Sequence, residues 1–228
     1  MKLKGIILAL LATSFIASAA KPGPSEAHLR LTAASEVFGE IMAAPDKGIP
    51  EWVLERAHCA VIVPAVKQGA FIFGAKYGKG VMLCRRAGGG WSAPSTMRIE
   101  GGSFGFQIGG AEVDAVLMVM NEDGKKKLLK SKFTLGGEAG VMAGPVGRST
   151  KAETDALMHA KILSYSRSRG LFAGVALEGG TLRVDRGDNE KLYGRAVGPA
   201  EIVDGKVATP PEGRELIARL GKYSWREK

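Results

Sequence analysis

The chain has 228 residues, of which 45% are hydrophobic and 24% charged, an ordinary composition for one globular domain with short appendages. This composition argues against intrinsic disorder and against repeated membrane spans. Two cysteines are too few for a disulfide-framework scaffold or a cysteine-ligated zinc cluster. Thirty-two Lys and Arg residues against 23 Asp and Glu residues give a formal net charge of +9, which points to an anionic partner.

The first twenty residues have the pattern of a secretory signal peptide. Lys2 and Lys4 precede the apolar run Gly5–Ile16, and small residues then offer a cleavage site near Ala19 or Ala20. The apolar run is too short for a stable helix across about 30 Å of hydrocarbon. We therefore expect a periplasmic or secreted protein with peripheral association to a membrane.

The next segment predicts two helices. Ser25 is a good N-cap, and apolar residues recur every fourth position over 26–44, the spacing of an amphipathic helix. Its expected apolar stripe consists of Leu29, Ala33, Val37 and Ile41, widened by Phe38 and Met42. Pro50 suits the first turn of a second, short helix.

Glycine-containing links then separate strand-length segments. The predicted strands are 59–63, 70–77, 81–86, 91–99, 103–109 and 112–120. Short links join antiparallel neighbours. Both alternating faces of 113–120 are mostly apolar, so we expect a central strand that is covered on both sides.

The remaining chain mixes both element types. Acids before lysines predict a helix over 122–130, and Thr, Ile and Tyr favour a strand over 156–167. Segments 171–177 and 181–185 flank a Gly-Gly pair and predict a hairpin, and a capping box predicts a C-terminal helix near 210–221. The fold class is therefore α+β, with a glycine-rich, mainly antiparallel twisted sheet or barrel-like core, an N-terminal amphipathic helix, a short inserted helix and a C-terminal helix.

The two cysteines are predicted to stay unpaired. Cys59 and Cys84 lie in the first and third strands of an expected three-strand meander. Strands two apart are separated by roughly 9.6 Å, whereas a disulfide needs Cα atoms within about 6.8 Å. A crossed connection or a barrel would instead bring the two strands together.

The sequence contains one hydrolase-like motif. Gly101-Gly102-Ser103-Phe104-Gly105 matches G-x-S-x-G, in which a strand-to-helix turn exposes the serine hydroxyl. Here the residues after Ser103 alternate like a strand, so we expect no catalysis. Three dispersed histidines and the absence of a phosphate-loop motif argue against a metal, a cofactor or a nucleic-acid partner.

Two basic groups are candidates for binding an anionic surface. The first consists of Lys125, Lys126, Lys127, Lys130 and Lys132, on or beside the predicted helix 122–130. The second consists of Arg167 and Arg169 within a serine-rich stretch. Each nearby cation contributes about 1 kcal/mol against anionic lipid, and guanidinium groups suit phosphate. The alternatives are a solvated charged face for the lysines and an exposed cross-strand charge row for the arginines.

The second group lies in a run that resembles a known family. The sequence SYSRSRGLFAGVALEG, Ser164–Gly179, strongly resembles the signature of the SYLF-domain lipid-binding family. The resemblance extends upstream through Ala57–Pro64, Gly80–Met82, Trp91–Pro94, Gly109–Asn121 and Lys132–Gly136. It implies binding of phosphoinositides or other anionic lipids, through an amphipathic N-terminal helix and basic residues, with no catalytic residues. Segment 26–44 departs from this pattern because Arg30 is its only cation.

Together these observations predict a secreted or periplasmic protein that binds anionic phospholipid headgroups or a membrane surface without catalysis. An envelope protein-interaction module is the alternative, and the serine hydrolase is a third. The expected division is a signal peptide at 1–20, a helix and linker at 21–49, a SYLF-type core at 50–195 and a C-terminal extension at 196–228.

Overall fold

The computed structural model describes residues 25–44, 48–71, 73–104, 109–130, 132–135, 140–147, 159–168, 171–174 and 180–224. The predicted signal peptide, Arg169 and the first part of the predicted strand 156–167 lie outside these residues. Six helices are described: α1 Glu26–Ala43, α2 Glu51–Arg56, α3 Glu122–Lys130, α4 Arg186–Tyr193, α5 Pro199–Val203 and α6 Gly213–Tyr223. The described strands are β1 Cys59–Phe71, β2 Phe73–Cys84, β3 Ser95–Phe104, β4 Gly109–Val119, β5 Phe133–Leu135, β6 Val141–Ala143, β7 Ile162–Ser168, β8 Leu171–Gly174 and β9 Gly180–Val184.

The strands form one nearly closed, barrel-like sheet. Its order is β5-β9-β3-β2-β1-β4-β7-β6, with β8 paired to β7. Only the β6–β7 pair is parallel among these strands. The predicted α+β class, with its N-terminal, inserted and C-terminal helices, is confirmed.

Each face of the sheet carries its own hydrophobic core. Helices α1, α2 and α6 cover one face, on which Val116 and Met118 of β4 are buried. The alternate residues of β4, Ala115 and Leu117, point into the second core, which Leu128 of α3 helps to close. Strand β4 lies between β1 and β7, so the predicted central strand is confirmed.

The prediction that the two cysteines stay unpaired is wrong. The expected strands 70–77 and 81–86 largely form one strand, β2, so Cys59 lies directly opposite Cys84 and the two form a disulfide. Gly80 lies inside β2 and makes no turn. A Cβ atom there would lie 2.7 Å from Val63 Cα, so this glycine serves close strand contact.

The predicted hairpin around the Gly-Gly pair is also wrong. Strand β8 pairs with β7, whereas β9 pairs with β3 and β5. Helix α4 was not predicted, and its N-cap is Asp185, whose side chain accepts a hydrogen bond from the Asp188 amide.

The apolar stripe of α1 differs from the predicted one at its N-terminal end. The predicted Val37, Phe38 and Ile41 are buried, whereas the predicted Leu29 is 57% exposed and Leu31 is buried instead. The helix packs against α6 and the sheet, which selects the face that includes Leu31. The apolar face of α1 is therefore part of the protein core.

Candidate anion-binding surface

Helix α3 presents the predicted lysines at one end of the barrel. The Asn121 side chain accepts a hydrogen bond from the Gly124 amide at 2.9 Å and begins the helix. Leu128 is buried, which turns the opposite side of the helix to solvent. The lysine patch is defined as Lys125, Lys126, Lys127, Lys130 and Lys132.

The ion pairs beside the lysine patch leave two of its exposed lysines unpaired within the described residues. Lys125 lies 3.9 Å from Glu122, and Asp123 instead pairs with Lys161 at 2.8 Å. Exposed Lys126 and Lys130 form no ion pair within the part of the chain that the structure describes. These two ammonium groups therefore face solvent on the same short helix.

A second set of cations crosses the outer face of the sheet. Lys79 of β2 lies opposite Arg98 of β3, and Arg98 lies opposite Arg183 of β9. Because Phe133 of β5 pairs with Leu182, Lys132 adjoins Arg183 on the same side of the sheet. Lys79, Arg98, Arg183 and Lys132 form the cation row, which spans roughly 14 Å at about 4.8 Å per strand.

Two carboxylates pair with neighbouring members of the cation row. Glu100 pairs with Arg98 at 3.4 Å and also with Arg183. Asp185 lies 3.8 Å from Lys79 and 3.9 Å from Arg98. Since directly opposed like charges destabilise a sheet, these acids offset the repulsion within the row.

Asp188 neutralises the Lys79 end of the row. Its carboxylate accepts hydrogen bonds from Lys79 at 2.8 Å and from Arg30 of α1 at 2.9 Å. Burial alone would raise the pKa of Asp188, but these two cations outweigh it and hold the pKa below its usual value. The other end of the row, at Arg183 and Lys132, lies beside the lysine patch.

A cleft joins this end of the row to the lysine patch. It has a volume of about 510 Å³ and lies between the end of α3, strand β9 and the start of α4. Asp185 is its one carboxylate-bearing lining residue among those described, against five cations. We call it the basic cleft, with Arg98, Lys130, Lys132, Arg183 and Arg186 as its cations.

The second predicted group lies elsewhere. Arg167 donates two hydrogen bonds to Asp114, at 2.9 and 2.7 Å, and also pairs with Glu40 of α1. It lies six residues along the chain from Lys161, the residue that pairs with α3, or roughly 20 Å in an extended strand. The structure therefore keeps Arg167 apart from the lysine patch, and its role in lipid binding stays a prediction.

The other candidate chemistries find little support in the geometry. Ser103 lies within β3 and pairs with Gly74 of β2, so it does not sit on a strand-to-helix turn. His58 Nδ1 lies 3.2 Å from a Glu122 oxygen, a simple polar pair. Among the described residues, no three His, Cys, Asp or Glu side chains are grouped to hold a metal ion.

Comparison with known proteins identifies the family. A family model described as "Ysc84: Las17-binding protein actin regulator" matches residues 100–223, a span that includes α3, β9 and α4. The chain belongs to this family. The Ysc84 model represents the SYLF domain, so the resemblance found in the sequence is confirmed.

Relatives of this Ysc84 family member carry the family name or, in one case, are named for Las17 binding. "SH3 domain-containing YSC84-like protein 1" of Xenopus laevis is 36% identical over 79% of this chain and 54% of its own length. "Protein YSC84" of Saccharomyces cerevisiae is 36% identical over 82% of this chain and 39% of its own length. "LAS seventeen-binding protein 3" of the same yeast is 37% identical over 78% of this chain and 38% of its own length. The chain thus spans about half or less of these relatives.

None of the described helices is both long enough and apolar enough to cross a bilayer.

Proposed function

We propose that this chain binds anionic lipid headgroups at a membrane surface, through the lysine patch and the basic cleft, and performs no chemistry. The observation that carries the proposal is the exposed face of α3, on which Lys126 and Lys130 form no ion pair within the described residues, next to a cleft with five cationic lining residues. The net charge of +9 is consistent with this choice of partner. We also propose that the protein is periplasmic or secreted and associates peripherally with the membrane, on the strength of the signal-peptide pattern.

The expected binding energy is modest and sensitive to salt. Each lysine near an anionic surface contributes about 1 kcal/mol, so three residues supply on the order of 3 kcal/mol, or about a hundredfold in affinity. Because charges on an exposed helix are screened over about 10 Å at 0.1 M salt, this attraction weakens as salt is added.

A protein partner is the second candidate function. The family description names Las17 binding, and one relative is named a LAS seventeen-binding protein. By analogy, the same basic surface would engage an acidic segment of an envelope protein. This candidate shares the surface with the first and differs in the molecule bound.

Vesicle sedimentation tests the proposed function. Neutral phosphatidylcholine vesicles are compared with vesicles that contain phosphatidylglycerol or cardiolipin, at 50 and at 300 mM salt. We expect binding to the anionic vesicles alone, and weaker binding at high salt. Equal sedimentation with neutral and anionic vesicles, or none with either, would reject the proposal.

A charge-reversal variant localises the contact. Changing Lys125, Lys126 and Lys127 together to Glu should nearly abolish sedimentation. The matched control changes exposed Lys67, Arg214 and Lys222 to Glu, which alters the net charge equally at other sites. The control should retain most of its binding, and equal losses in both variants would show that net charge alone matters.

A further inference from the structure

We propose that the basic cleft is a binding site for a phosphate monoester group, and that it prefers this dianion to a singly charged phosphate diester. The inference rests on the proposed function and refines it, because it names the headgroup chemistry that the cleft selects. It adds Arg98 of β3, Arg183 of β9 and Arg186 of α4 to Lys130 and Lys132, which the cleft shares with the lysine patch.

The arginines of the cleft have the right donors. Arg98 and Arg183 lie opposite each other on adjacent strands, so their side chains emerge side by side. Their side chains are 32% and 37% exposed, which leaves part of each guanidinium group accessible. Two neighbouring planar guanidinium groups can donate several hydrogen bonds to the oxygens of one phosphate.

The carboxylates near these arginines are already shared. Glu100 pairs with both Arg98 and Arg183. Asp185 is the N-cap of α4, where its side chain accepts a hydrogen bond from the Asp188 amide, and it also lies near Lys79 and Arg98. Because Asp185 already takes this N-cap position, the helix end contributes no free site of its own. The excess positive charge therefore belongs to the side chains.

Two further cations are uncommitted. Lys130, at the end of α3, and Arg186, at the start of α4, are exposed and line the cleft from opposite sides. Neither forms an ion pair within the described part of the chain. A monoester carries a charge of about −1.5 to −2 at pH 7 and presents three terminal oxygens, whereas a diester carries about −1. The dianion thus matches the two open cations and the partly satisfied arginines better.

The rest of the cleft suits a headgroup attached to a glycerol backbone. Leu128, Leu129 and Pro199 form apolar walls beside the cations. Apolar walls reduce the screening of the charges by water and can contact the carbon atoms of the ligand. The cleft also opens next to α3, so a lipid phosphate reaches it when the lysine patch lies on a membrane.

Two sets of binding experiments, one in solution and one on vesicles, show whether the cleft binds a lipid phosphate or a free phosphate. In solution, glycerol 3-phosphate and inorganic phosphate are titrated calorimetrically against the diester glycerophosphoglycerol at equal ionic strength. On membranes, vesicles of phosphatidic acid are compared with vesicles of phosphatidylglycerol that are matched in zeta potential. We expect about tenfold tighter binding of the phosphatidic acid vesicles, and competition by glycerol 3-phosphate but not by the diester.

Variants locate the preference in the cleft. Arg186→Gln should remove most of the preference for phosphatidic acid, and it disturbs no ion pair of the described fold. Arg183→Gln should do the same but also releases Glu100, so its unfolding midpoint is measured alongside. Lys126→Gln lies outside the cleft-lining residues and should weaken binding of both vesicles by the same factor.

The outcomes distinguish this proposal from the proposed function. Equal binding of the two charge-matched vesicles, with the dependence on α3 lysines intact, would overturn the cleft site and leave membrane binding standing. Monoester binding in solution without any vesicle binding would support the cleft and reject the lipid as its source. An unchanged preference in both arginine variants, when both are folded, would also overturn the site.

Discussion

Reduction of the disulfide between Cys59 and Cys84 should lower the free energy of unfolding substantially. The bond closes a loop with a sequence separation of 25, which in the chain-entropy treatment corresponds to about 3.5 kcal/mol. For a protein of this size, that loss lowers Tm by roughly 7 to 14 °C. Both cysteines are fully buried and join the N-terminal end of β1 to the C-terminal end of β2, so the bond restrains two central strands.

Urea unfolding with and without a reductant measures this contribution. The Cys59→Ala/Cys84→Ala double variant is the control, because its midpoint should not respond to reductant. Intact mass after alkylation in denaturant, before reduction, should show no adducts in the wild type. Two adducts, or a midpoint that reductant leaves unchanged, would refute the pairing of β1 with β2 at this position.

The remaining predictions concern pH, packing and catalysis. Because the pKa of Asp188 is lowered in the folded state, its stabilisation is present above the unfolded pKa of about 3.9 and is lost below it. At pH values below 4, the urea concentration at the unfolding midpoint should therefore decrease more in the wild type than in Asp188→Asn. Equal decreases in the two proteins would contradict a stabilising role of the Asp188 carboxylate. Gly80→Ala should cost about 1 to 3 kcal/mol in urea unfolding because its Cβ crowds Val63, whereas Gly88→Ala, with open space around it, should be nearly neutral. A fluorophosphonate probe should not label the protein. Labelling of the wild type that disappears in Ser103→Ala would support the hydrolase alternative.

Local sequence signals predicted α1, α2, α3 and α6, whereas α4 and α5 were not expected. Over α1 and α3 the expected and observed bounds differ by at most one residue, because caps, charge order and apolar spacing act within one or two turns. The difference at the N-terminal end of the α1 stripe shows the limit of this reasoning. Leu29 and Leu31 are equally apolar, and only packing against α6 and the sheet determines which one is buried.

The strand boundaries around β2 were predicted incorrectly because glycines inside the strand resemble a turn. The glycine spacing predicts a turn at Gly78 and Gly80 between two short strands, whereas both residues lie within β2, where the neighbouring strand β1 bulges. A side chain at Gly78 would crowd Val63 and Val66. The same residue type serves turns and close backbone contact, and the sequence does not distinguish them.

The sequence predicted the lysine patch but not the cation row or the basic cleft. The lysines were visible because five of them lie within eight residues on one short helical segment. Arg98 and Arg183 each have the alternation of an outward-facing strand residue, but they meet only because β9 pairs with β3 across a long stretch of chain. Such long-range pairing depends on the whole sheet, so the cation row and the basic cleft required the structure.

Lysine footprinting on membranes tests the central claim most directly. The wild-type protein is acetylated briefly in the presence of phosphatidylglycerol vesicles and of neutral vesicles, and the modified positions are quantified by mass spectrometry. We predict that Lys126 and Lys130 are protected by the anionic vesicles alone, while Lys67 of β1 and Lys222 of α6 react equally with both. Protection of Lys67 and Lys222 to the same degree, or unprotected Lys126 and Lys130 on vesicles that bind the protein, would contradict the account.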